Sequence, residues 1–127
     1  MSFADRVAAF TQRAEQAARD IHRSVSIELF SAIVRDTPVD RGDLRGSWQV
    51  TVGSPPSSDA IGDPMSAITA TVPDGWGGQL YLSNLKPYAH RIEYDGWSHT
   101  KAPEGMVRRN TANIPAMIRN AARGVGS

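Results

Sequence analysis

Cysteine is absent from the 127 residues. That excludes disulfide frameworks, thiolate zinc sites and cysteine nucleophiles together. Long apolar runs are also absent, and nothing approaches the ~18 consecutive apolar residues of a membrane span. The opening MSFADRVAAF carries an early acid and no extended apolar core, so it does not read as a signal peptide. We therefore expect a soluble chain made in the cytoplasm. A charge excess is missing too: 14 Lys and Arg stand against 13 Asp and Glu, net +1. Bulk electrostatics thus favours no class of partner. The length suits one domain with one core.

The charge is unevenly spread. Residues 1–36 are balanced, residues 37–100 lean acidic and residues 101–127 lean basic. Such asymmetry suits head-to-tail docking between copies, or a basic face for phosphate.

From Phe3 to Arg35 the sequence reads as one long helix, capped by Ser2 with Asp5 completing a capping box. Phe3, Val7, Phe10, Ala14, Ala17 and Ile21 recur at spacings of four and three, and Val25, Leu29 and Ile33 follow at spacing four. A helix of roughly 33 residues is ~50 Å long, more than a domain of this size covers alone. Its N-terminal half, with Phe3, Val7 and Phe10, is expected to pack on another chain. Its C-terminal end, with Leu29, Phe30, Ile33 and Val34, should enter the core.

Thr37-Pro38 stops that helix. Asp40 is placed to cap a short turn through Arg41–Arg45, with Gly42 and Gly46 easing the backbone. Ser47–Val52 alternates as a strand, with Trp48 expected in the core. Residues 53–66, rich in Pro, Gly and Ser, read as a flexible loop. Ala67–Val72 alternates as a second strand. Asp74–Gly78 then closes an antiparallel hairpin with Gln79–Ser83. Residues 84–103 form a connector loop, and residues 104–123 a helix that ends at Gly124. Pro115 either kinks that helix or sits in the first turn of a second one capped by Thr111 or Asn113. The fold class expected is α+β: a long N-terminal helix, an antiparallel sheet of about three to four strands, and a C-terminal helix.

Chemistry is hard to assemble from these residues. His22 sits among polar helix neighbours. A His90, Glu93, His99 metal site can be drawn, but no HExxH or repeated spacing supports it. Ser47 and Ser83 lack a nucleophile-elbow context. Gly75-Trp76-Gly77-Gly78 joins two strands, not a strand and a helix, so it is no phosphate loop. Asp59, Asp63 and Asp74 read as solvated loop acids. No enzyme, metal or cofactor is expected. Arg108, Arg109, Arg119 and Arg123 offer a basic surface for DNA or an acidic partner, without a groove-reading motif. A non-specific nucleic-acid module is therefore an alternative. Tyr88, Glu93 and Trp97, in an aromatic and charged segment, are candidate interface contacts.

Two blocks resemble a family of small tailed-bacteriophage proteins, the gene-ten-like tail components, which include neck and tail-completion proteins. TPVDRGDLRGSWQV (37–50) resembles the family's first block through Asp40, Gly42, Arg45 and Trp48. YLSNLKPYAHRIEYDGWSHTKAPEGMVR (81–108) resembles its second through Asn84, Pro87, Pro103 and Gly105. Together the blocks cover about a third of the chain. Arg41 departs from the family's more frequent Thr, while Asp40 and Gly42 keep the turn. The resemblance implies a virion structural protein of the neck or tail, made in the host bacterial cytoplasm. It implies a homo-oligomeric ring, a hexamer or dodecamer, at the head–tail junction. The partners implied are head-connector, tail-terminator and tail-tube proteins, with DNA passing through the lumen without sequence specificity and no membrane. A related fold serves tail terminators.

Overall fold

The computed structural model describes residues 2–37, 43–72, 79–86, 89, 93 and 107–124. Helix α1 spans Phe3–Asp36. The expected capping box is formed: Ser2 Oγ accepts from the Asp5 N–H at 3.1 Å, and Asp5 accepts from the Ser2 N–H at 3.2 Å. The bond from the Ser2 backbone N–H first, and the Ser2 hydroxyl second, hold the Asp5 carboxyl below its usual range. The helix ends at Thr37, whose extended backbone (φ −70°, ψ 128°) is what a following proline demands.

Phe30, Ile33 and Val34 are the buried residues of α1. Phe3, Val7 and Phe10 are 81%, 47% and 65% exposed. The spacing explains the difference. Steps of four and three keep the stripe on one line as far as Ile21. Steps of four then advance it by ~40° each, at 3.6 residues per turn. Val25 and Leu29 carry the stripe round the helix, and Ile33 arrives on the core side. Residues 3–17 are left facing roughly the other way.

Strands β1 (Trp48–Val52) and β2 (Leu80–Asn84) pair antiparallel, with Trp48 opposite Asn84, Val50 opposite Leu82 and Val52 opposite Leu80. Gly53, at φ 89°, turns the chain out of β1 while its N–H donates to the Gln79 carbonyl at 2.8 Å. An L-residue with a side chain would be strained there.

Among the described residues the sheet has two strands, not three to four. The segment read as a middle strand is helix α3, Pro64–Thr71, which follows the short helix α2, Asp43–Gly46. Asp63 is its N-cap: the carboxylate accepts from the Ser66 N–H and from Ser66 Oγ, the latter at 2.8 Å. Pro64 stands at the start, where its missing N–H removes nothing from the helix. Pro64, Ile68 and Val72 are buried at spacing four. Ile68 and Val72 satisfy alternation and helical spacing equally; the cap decides. The expected 67–83 hairpin is accordingly replaced by a β1–β2 pair, and α3 packs on both α1 and β1.

The loop ahead of α3 covers residues 53–63 and is tied down. The Gly62 N–H donates to the Gly46 carbonyl at 2.9 Å, Gln49 donates to the Ser58 carbonyl at 2.8 Å, and Lys86 pairs with Asp59 at 2.8 Å. A Cβ on Gly46 would meet the exposed Ile61 side chain at 3.2 Å, a tight contact that Ile61 would have to yield to.

At the C-terminal end, helix α4 (Val107–Thr111) and helix α5 (Ile114–Gly124) are separate. Asn113 precedes α5 and Pro115 lies in its first turn, which is the second of the two arrangements expected there. Both helices pack on α1. Phe30, Ile33, Val34, Leu44, Trp48, Ile68 and Val72 form the core, with Leu80, Leu82, Ala89 and Val107 against it.

Candidate functional site

The first block folds into a corner at the end of α1. Thr37 is fully buried. Its hydroxyl donates to the Ile33 carbonyl at 2.7 Å and accepts from Trp48 Nε1 at 2.7 Å. One hydroxyl thus closes the helix and satisfies the indole, which is itself buried in the core. Arg45 completes the cap. Its Nε and Nη2 donate to the Thr37 carbonyl at 3.2 and 2.8 Å, and Nη2 also donates to the Arg35 carbonyl at 2.8 Å. A guanidinium on the last carbonyls of a helix meets both orphan acceptors and the negative end of the dipole. Asn84 fastens β2 to the same corner, donating to the Leu44 carbonyl at 2.7 Å and accepting from the Lys86 N–H at 3.1 Å.

The second block supplies another anchor. Glu93 is 5% exposed. Its carboxylate accepts from the Val107 and Arg108 N–H groups, both at 2.8 Å, and pairs with Arg108 Nε at 3.2 Å. The Arg108 Nη2 also donates to the Glu93 carbonyl. The first two N–H groups of α4 are therefore met by a carboxylate of the same chain. The expectation that Glu93 faces a partner is not what its side chain does: it is turned inward. Next to it, Asn110, 4% exposed, donates to Asp36 at 2.9 Å, and Arg109 lies 3.9 Å from the same carboxylate. Asp36 thereby ties the end of α1 to α4.

Of the arginines expected to face DNA or an acidic partner, Arg108 and Arg109 are thus engaged, although about half of each side chain is exposed. Arg119 and Arg123 lie one turn apart on the outer side of α5, exposed. Asp40, Gly42, Asp74, Pro87, Tyr88, His90, Trp97, His99, Pro103 and Gly105 lie outside the described residues. Among those described, no group of three His, Cys, Asp or Glu could hold a metal ion, and no helix is long and apolar enough to cross a membrane. Ser47, weighed as a nucleophile, is fully buried. An open groove of about 450 Å³ runs along α1, lined among the described residues by Asp20, Arg23, Ser24, Ile27 and Glu28.

The unusual surface is the start of α1. From Ser2 to Gln16 every residue is exposed except the half-buried Ala9. Three large apolar side chains project from this stretch, and no described part of the chain covers them. The connections that sequence reasoning missed are polar and non-local: Thr37 to Trp48, Asp36 to Asn110, Lys86 to Asp59. A polar Asn110 between Val107 and Ile114 was the one available signal.

Comparison with protein-family models, with characterised proteins and with solved structures finds no match for this chain.

Proposed function

We propose that this chain is a virion structural protein of a tailed bacteriophage, and that it forms a ring at the head–tail junction. In that ring one face meets the head connector, the other meets the tail tube, and the lumen passes DNA. The same ring set at the end of the tube would act as a terminator. Two lines of support meet here. The blocks that resemble the phage family contain the residues that build the two anchors: Arg45 and Trp48 at the first, Glu93, Val107 and Arg108 at the second. The single structural observation that carries the association this reading needs is the projecting half of α1. Exposed Phe3, Val7 and Phe10 call for a neighbouring chain, because a soluble monomer rarely leaves a large contiguous apolar patch open. The mechanism is geometric, with no catalytic step.

The test is genetic and visual. In a phage carrying this gene, its loss is expected to leave filled heads and finished tails that do not join. Normal infectious particles without the protein would contradict the reading.

A second reading, a non-specific nucleic-acid surface, draws on Arg119 and Arg123. It requires duplex binding by the isolated protein that weakens steeply as salt rises. No retention on duplex DNA at low salt would remove it.

A further inference from the structure

We infer that the N-terminal half of α1 pairs with the same segment of a second copy, antiparallel, about a two-fold axis near Thr11 and Gln12. Phe3, Val7, Phe10, Ala14, Ala17 and Ile21 keep strict heptad spacing, the narrow seam of a two-helix coil rather than the wider stripe of a core helix. This seam reads as its own complement when reversed. In one antiparallel register Phe3 meets Ile21, Val7 meets Ala17 and Phe10 meets Ala14, and the axis repeats each contact. Every layer then sets a larger side chain against another residue of the seam, and Phe10 and Val7 each find an alanine that leaves room. A parallel pair would instead stack Phe3, Val7 and Phe10 on themselves at one end. It would leave Ala14 and Ala17 facing themselves at the other, with a gap between the helices.

The charges choose the same register. Beside an antiparallel seam, like heptad positions of the two copies face each other. One flank carries Arg6, Arg13 and Asp20; the other carries Ala4, Thr11 and Ala18. The register set by the apolar layers brings Arg6 of each copy to Asp20 of the other, twice. Arg6 is exposed, and Asp20 accepts one bond, from Gln16 at 2.9 Å. Arg13 meets its own counterpart at the axis, the one unfavourable contact. In a parallel pair Arg6 would face Thr11 and Arg13 would face Ala18, with no ion pair. The rest of each protomer covers α1 partly from Ala17 on, leaving Ala17 and Ile21 half-buried, and fully only at Phe30, Ile33 and Val34, so an antiparallel seam sets the two bodies at opposite ends. The contact is isologous. It is a property of residues 3–21 and stands whether or not the chain serves a phage.

Sedimentation velocity of the full chain across the micromolar range tests it. The wild type is expected to be a dimer or an even-numbered assembly that dissociates on dilution. Phe10→Asp should abolish the contact while the melting curve stays in place, since Phe10 touches no core. Arg6→Asp and Asp20→Arg should each weaken association by about tenfold or more, by removing two ion pairs and creating two repulsions. The double variant should return to within a few-fold of wild type. Arg13→Gln should tighten it. A wild type that stays monomeric at the highest concentration overturns the proposal. So do single reversals that associate as tightly as wild type, or a double variant weaker than either single.

Discussion

Thr37 shows how much can rest on one hydroxyl. It joins α1 to β1 across eleven positions of sequence through Trp48 Nε1. Thr37→Val would leave a buried indole N–H without an acceptor. We expect a loss of about 1–3 kcal/mol in urea unfolding, and Thr37→Ser should recover most of it. Equal stability of the valine variant and wild type would rule out the role given to this bond. Glu93→Gln should lower stability by about 2 kcal/mol, because the amide keeps one acceptor oxygen and sets an N–H donor against the other helix N–H, and the Arg108 pair is lost. Two exposed carboxylates contribute to the acid behaviour. Asp59 is held low first by its bond from Lys86, and Asp63 first by its bonds from Ser66. Their folded values lie below the ordinary 3.8, so their contribution is complete above that value and fades as pH falls through the folded ones. Amide protection factors in 53–63 and at the start of α3, corrected for the intrinsic pH dependence of exchange, should therefore fall in acid and hold steady near neutrality. The burial of Trp48 was legible from an alternating strand. The inward turn of Glu93 was not, since a charged residue between aromatics reads as a contact until its partners, fourteen and fifteen positions away, are known.

At the scale of elements, α1 was readable almost to the residue, because capping chemistry and periodicity agree along its whole length. Its two destinations were not separated, because the change from heptad spacing to steps of four at Ile21 is small in sequence and large in angle. The segment after Asp63 was misread for a definite reason. Ile68 and Val72 fit period two as well as helical spacing, and β-branched residues pulled the reading toward a strand. The deciding signal was Asp63-Pro64-Met65-Ser66, an N-cap with proline in the first turn. Two substitutions test α3. Ile68→Ala, at a site with no exposed surface, should cost about 2–5 kcal/mol. Asp63→Ala should lower the melting temperature by less, and Asp63→Asn should restore most of that. An Ile68→Ala protein as stable as wild type would place α3 outside the core.

On the scale of the whole molecule, the core gathers at one end of α1 while the other end stands out from it. On the proposed reading, a polypeptide that buries Phe30, Ile33 and Val34 and exposes Phe3, Val7 and Phe10 on the same helix divides that helix between folding and association. The two are expected to be separable: removing residues 2–14 should change the melting temperature little and abolish the two-fold α1 contact. A two-fold α1 contact pairs two copies and cannot close a ring, so the proposed ring needs a second, cyclic contact elsewhere on the chain. If both form, the product is two rings back to back, which turns a hexamer into a dodecamer. Bulk charge favoured no class of partner; which end of α1 is buried and which is open depended on the angular position of six side chains. Electron microscopy of the purified, concentrated chain tests the central claim most directly. The account predicts closed rings with a lumen in end views and two tiers in side views. Isolated monomers, or open filaments without a closed ring, would contradict it.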